Sequence, residues 1–210
     1  MTYREEIRYL DSTATPAPWV SEGELYGVHE NGSFLPLGFA PHRPLDSRLI
    51  AVYRSAVLRL LEAVDAVERL ALRASVDASV PAAIGIQQDL TILDAPQGGE
   101  TSFRSALMEL NLKTTPPLWD PGHLFLGMAF GPELQSLGIA TPKPGDAPLI
   151  AVSRIAVPRA LELLGFVEQN IAQYGLPDGR LSGDAAAAII SAVVEFDAHS
   201  ADEGSGISTV

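Results

Sequence analysis

Four histidines, His29, His42, His123 and His199, are the side chains best suited to proton transfer near neutral pH. Their spacing gives them no common task, because no HExxH, GxSxG, GxxxxGK[ST] or GxGxxG arrangement accompanies them. Zinc hydrolysis, acyl transfer from a nucleophile elbow and the usual phosphate loops therefore lack their parts. The chain has no cysteine, which removes thiolate metal sites, iron–sulfur clusters, disulfides and cysteine nucleophiles together. No metal and no cofactor are expected. The nearest approach to an acid–base set is Asp120, His123 and Glu133 in the second half, which would suit an enzyme with one asymmetric site.

Arginine and tryptophan offer a different chemistry, because they recur. Arg54 and Arg154, and Trp19 and Trp119, stand one hundred positions apart. Asp46/Asp146, Arg59/Arg159, Glu62/Glu162 and Glu68/Glu168 share that offset. Most of these have structural explanations: the aspartates suit helix N-caps, and Arg59 with Glu62 suits an i, i+3 pair on a solvated face. Arg54 and Arg154 fall where a break between helices is expected, and a guanidinium there can hold free carbonyls or reach an anion. The tryptophans suit core anchors. Taken as binding residues, Trp19, Arg54, Trp119 and Arg154 would make a stacking-plus-anion pocket for a nucleotide-like ligand.

The recurrence extends well beyond these residues. From Leu37 to Arg69, 17 of 33 positions are identical to those one hundred residues later, without a gap. Average residue usage would give roughly two or three. Tyr3-Arg4 falls on Phe103-Arg104, Leu10 on Leu110, Thr15-Pro16 on Thr115-Pro116 and Gly27 on Gly127. Two diverged copies of one unit are expected, at residues 1–96 and 97–199, with Pro96 to Thr101 as a turn-rich linker. A polar, Gly/Ser-rich tail, 200–210, is expected to be disordered.

Each copy reads as α+β and mainly helical. A first helix is expected at Thr2 to Leu10 and again at Ser102 to Leu110. Strands are expected at Glu24 to His29 and Phe34 to Phe39, with Asn31-Gly32 suited to a tight hairpin and Gly131-Pro132 at the equivalent bend. Helices follow Asp46 and Asp146, with a break expected near Arg54 and Arg154; in the second copy Pro158 fits a first helical turn, whereas the first copy carries Leu58 there and can run through. An apolar stripe then runs through Val57, Leu60, Leu61, Val64, Val67 and Ala71, and through Leu161, Leu164, Val167 and Ile171. Closing helices follow Pro81, ending near Leu93, and Ser182, with Ala185 to Phe196 as body. The expected fold is thus a pseudo-twofold tandem of helix, short β-hairpin and two to three helices.

At two places the chain resembles a family. Thr15-Pro-Ala-Pro-Trp19 and Thr115-Pro-Pro-Leu-Trp119 resemble the "ATPGPW" corner of small uncharacterised proteins of actinobacteria and their phages. Asp146 to Leu161 resembles their "DAxFIAxARxDVPRLLxAL" helix, with Ala156 in place of the usual aspartate. The resemblance covers most of both copies. It implies no activity, and points to a phage or prophage accessory protein rather than a housekeeping enzyme.

Charge and hydropathy restrict the partners. A net charge of −12 opposes direct nucleic-acid binding, which needs clustered Lys and Arg to displace counterions. The first residues are charged, without the apolar core of a secretory signal. The longest apolar stretch, Ala185 to Val194 with only Ser191 interrupting it, is about half of the roughly 20 residues that span a bilayer. A cytoplasmic, non-enzymatic binding protein is expected, with a protein partner or a small anionic ligand. Blocking a host-defence protein or sequestering a nucleotide signal fits that expectation, and a scaffold or virion component is a further alternative.

Overall fold

The structure is a computed structural model that describes residues 1–14, 19–22, 24–28, 34–38, 44–95, 101–114, 119–121, 125–130, 133–140 and 145–198. In the strands, and at positions 44, 46 and 47, the description is of the backbone. The chain is mainly helical and divides into two compact units. One comprises Met1–Leu58 and Leu107–Pro158, the other Arg59–Ala106 and Arg159–His199, so each draws on both halves of the sequence.

The first unit opens with α1 (Tyr3–Thr13), which starts where a capping box satisfies its free amides. Glu5 N–H donates to Thr2 Oγ1 at 3.3 Å, and Thr2 N–H to Glu5 Oε2 at 2.7 Å. The strands β1 (Val20–Glu22), β2 (Glu24–Val28), β3 (Phe34–Gly38), β4 (Trp119–Pro121), β5 (Phe125–Phe130) and β6 (Glu133–Ala140) lie in the order β1-β2-β3-β6-β5-β4, all neighbours antiparallel. The central pair, β3 and β6, meets at Gly38 and Ile139. The unit also contains the first part of α2 (Pro44–Val76), the later part of α4 (Phe103–Lys113) and the first part of α5 (Asp146–Tyr174).

Helix starts and breaks differ from the sequence expectation. Asp46 is the third residue of α2, because Pro44 opens the helix; proline has no N–H to leave unpaired and its φ is preset for the first turn. Asp146 is the first residue of α5 and fully buried, while Gly145 supplies the carbonyl that accepts from Leu149 N–H at 3.0 Å. Glycine is needed there: a Cβ would stand 2.4 Å from Thr13 Oγ1 at the end of α1. Neither long helix breaks at its arginine. α2 runs for 33 residues and α5 for 29, with Pro158 inside. Proline removes one backbone donor and costs on the order of 3 kcal/mol in a helix interior. Burial of Val157, Leu161 and Leu164 around it offsets that loss, since each such side chain contributes about 1.5–3 kcal/mol.

The second unit is helical among the described residues apart from one antiparallel bridge between Gly175 and Leu181. It combines the later part of α2, α3 (Ala82–Leu93), the start of α4, the later part of α5 and α6 (Gly183–Ala198). The apolar stripe is its core: Leu60, Leu61, Val64, Val67, Ala71, Leu161, Leu164, Val167 and Ile171 are all buried. Ile86 and Leu90 of α3 and Ile189 and Val193 of α6 are buried as well.

Two devices hold α3. Pro81 offers no side-chain cap, and the carbonyl of Gly179 instead accepts from Ala83 N–H at 3.0 Å and Ile84 N–H at 3.3 Å. Gly179 has φ 81°, and a Cβ there would fall 2.2 Å from Ile84 Cδ1, so both conformation and space require glycine. At the other end Arg59 donates to the carbonyls of Leu93 at 2.5 Å and Ile92 at 3.2 Å, and lies 4.2 Å from the Phe103 ring centroid. Arg59 therefore serves a helix C-terminus, not the solvated pair with Glu62 that spacing suggested. Beside it Arg104 pairs with Asp94 at 2.5 Å and with Glu168 at 2.7 Å.

Candidate functional site

The first unit buries both recurring arginines, at 5% exposure for Arg54 and 2% for Arg154. A buried guanidinium is tolerated only when its donors find acceptors. Arg54 Nη1 donates to Asp11 Oδ1 and Arg154 Nη1 to Asn111 Oδ1. Asp11 and Asn111 are themselves one hundred positions apart, in the last turns of α1 and α4. The same arginine thus meets an acid in one half and an amide in the other. Arg154 Nη2 also reaches Thr114 Oγ1 at 3.4 Å.

The residue preceding each arginine differs more. Tyr53 is buried, and its hydroxyl donates to Asn111 Oδ1 at 3.0 Å, beside the bond from Arg154. Its ring centroid lies 5.9 Å from the Arg154 guanidinium carbon. Ser153 is also buried, at 2% exposure, but its Oγ has no hydrogen-bond partner among the described residues. Such a group normally costs about 1–3 kcal/mol.

A cavity of about 10 Å³, room for roughly one water molecule, lies among these side chains. Its walls are four pairs at the hundred-residue offset: Leu49 and Leu149, Ile50 and Ile150, Tyr53 and Ser153, Arg54 and Arg154.

Of the four residues taken from sequence as binding candidates, Arg54 and Arg154 line this cavity and Trp19 lies near Arg54. Trp19 is 4% exposed, with the Arg54 guanidinium carbon 5.7 Å from its ring centroid. Trp119 is the first residue of β4, where the backbone pairs with Met128. Asp120 and Glu133 belong to β4 and β6, and the four histidines, the turns at Asn31-Gly32 and Gly131-Pro132, the linker 96–100 and the tail 200–210 lie outside the described residues. Among the described residues no group of three or more His, Asp or Glu side chains could hold a metal, and no helix is long and apolar enough to cross a membrane.

Sequence reasoning missed Asp11, Asn111, Tyr53 and Ser153. The signal that finds Tyr53 and Ser153 is difference, not identity, because they change chemistry between the unchanged pairs Val52/Val152 and Arg54/Arg154; Asp11 and Asn111 have only Leu10/Leu110 unchanged beside them.

Burial pushes the Tyr53 phenol up to about 12, with the Arg154 charge and hydrogen bond pulling the other way. An unfolded tyrosine ionises near 10, so above that pH the unfolded chain releases a proton that the folded one retains. The Tyr53 contribution is therefore fully present below pH 10 and is lost as pH rises from about 10 to 12. Urea unfolding between pH 8 and 11.5 will show a fall that is shallower in Tyr53→Phe. Parallel falls in the two proteins would contradict the assignment.

Comparison with family models, with curated proteins and with solved structures yields no match.

Proposed function

We propose that this chain is a non-enzymatic binding protein made by doubling one unit of helix, short β-hairpin and two to three helices, its halves paired about a pseudo-twofold axis. The observation that carries the reading is the cavity wall, to which four consecutive-turn positions contribute once from each half. Duplication brings two copies of one surface together within a chain, as a symmetric dimer does between chains. The sheet order, with β3 and β6 central, supports the same relation.

The lining is aliphatic on α2 and α5 with two guanidinium groups, a phenol and a hydroxyl, a set that can bind and orient an anionic group. Within that reading the ligand is a small anion, or the anionic end of a protein partner, and the setting is cytoplasmic. The resemblance to actinobacterial and phage proteins supports a phage or prophage accessory role, such as sequestering an anionic signal or blocking a defence protein. Native mass spectrometry of the chain purified from its natural host is the test. A retained small anionic species or a stoichiometric partner is expected, and a bare chain under gentle conditions would count against the proposal.

A further inference from the structure

The asymmetry between Tyr53 and Ser153 leaves one buried hydroxyl without an acceptor at the cavity. Tyr53 extends its ring beside the Arg154 guanidinium and ends on Asn111. On the duplicated-unit reading, on which this inference rests, a tyrosine at 153 would extend beside Arg54 and end on Asp11. Serine stands there instead, and its short side chain reaches no acceptor among the described residues. The cavity lies among Ser153, Arg54 and Arg154, and the buried Ser153 hydroxyl is without a hydrogen-bond partner among the described residues.

We propose that this cavity is a binding site for one anionic atom per chain, either a halide or a single oxygen of a carboxylate or phosphoryl group. Ser153 Oγ–H is its donor, and the cationic lining of Arg54 and Arg154 selects for charge. A hydroxyl donating to an anion makes a stronger bond than one donating to a neutral acceptor, and the low dielectric of the site enhances that difference. The size limit follows from the volume of about 10 Å³: one heavy atom fits, and anything larger must leave the rest of its bulk outside. Both halves line this one cavity, so one ion per chain fills it.

The test is thermal unfolding of the full chain at constant ionic strength, exchanging sodium gluconate for sodium bromide, sodium formate or sodium phosphate. Wild type is expected to gain roughly 2–5 °C at about ten times the dissociation constant of an anion that fits. Bromide alone raising the midpoint assigns a halide site; formate or phosphate raising it assigns the oxygen of a larger group. Ser153→Ala removes the donor without adding volume, and is expected to fold with a midpoint close to that of wild type in gluconate and to lose the anion response. Bromide anomalous scattering in a crystal should then show one ion beside Ser153. A flat wild-type response to all three salts, or a Ser153→Ala protein that still responds, would overturn the site. A ligand retained from the host by both proteins would refute this inference while leaving the binding function standing. An anion response with no retained ligand or partner would do the reverse.

Discussion

Asp11→Ala will lower the unfolding free energy by about 2–4 kcal/mol, whereas Asp11→Asn will cost about 1 kcal/mol or less. The argument starts from Arg54, whose side chain is 4% exposed while that of Asp11 is 22% exposed. Removing one member of a fully buried ion pair typically costs 3–5 kcal/mol, because the remaining charge keeps its desolvation penalty. Water can reach the Asp11 side and recover part of that, which sets the lower bound. Asparagine keeps an oxygen acceptor in place and removes only the charge. The other half of the chain already uses that solution, since Arg154 donates to the amide oxygen of Asn111. Urea denaturation of the three proteins at pH 7 measures both steps. An alanine variant within about 0.5 kcal/mol of wild type would show that the pair contributes nothing, as many exposed pairs do. An asparagine variant as weak as alanine would show that charge, not the acceptor, holds Arg54.

How much of this was legible in the sequence depends on the range of the interaction. Helical character and buried stripe were legible because both are periodic: Val57, Leu60, Leu61, Val64 and Val67 sit on one face by spacing alone, and all are buried. The closing helices were legible to within three residues, since Pro81 and Ser182 punctuate them and α3 and α6 begin at Ala82 and Gly183. Helix continuity was not. Pro158 is a local signal for a start, and tertiary burial on either side overrode it. The capping aspartates failed for a related reason, because Pro44 competes for the helix start and Gly145 is fixed by the close approach of Thr13.

The site shows the same division. Arg54 and Arg154 stood out because they repeat, but a repeat comparison discards positions that differ. Tyr53/Ser153 and Asp11/Asn111 are such positions, and they decide what each arginine meets. Their partners are also distant, 43 residues from Arg54 to Asp11 and 58 from Tyr53 to Asn111, so no local pattern joins them. Arg59 was misread for that reason too. Its nearest charged neighbour in sequence suggested a surface pair, while the carbonyls it serves lie 33 and 34 residues away.

Leu60→Ala will destabilise the second unit by about 3–5 kcal/mol, although alanine stands at the equivalent position of the other half. Leu60 is 0% exposed and Ala160 is 1% exposed, so both are core positions filled to different volumes. Truncating a fully buried leucine loses its transfer free energy and leaves a void that rigid neighbours fill only in part. The reciprocal change, Ala160→Leu, adds three carbons where packing was built for one, and overpacking of that kind costs about 1–3 kcal/mol. Identity of pattern between the halves therefore does not make their side chains interchangeable: the stripe fixes which face is apolar, and divergence has since fixed how each face fills its space. Equilibrium unfolding of the two single variants and of the double variant separates these claims. A Leu60→Ala cost below about 1 kcal/mol would mean the unit collapses onto the truncation, as a loosely packed core does. A double variant more stable than the sum of the singles by over about 0.5 kcal/mol would place positions 60 and 160 against one shared volume, and strict additivity would place them in separate ones.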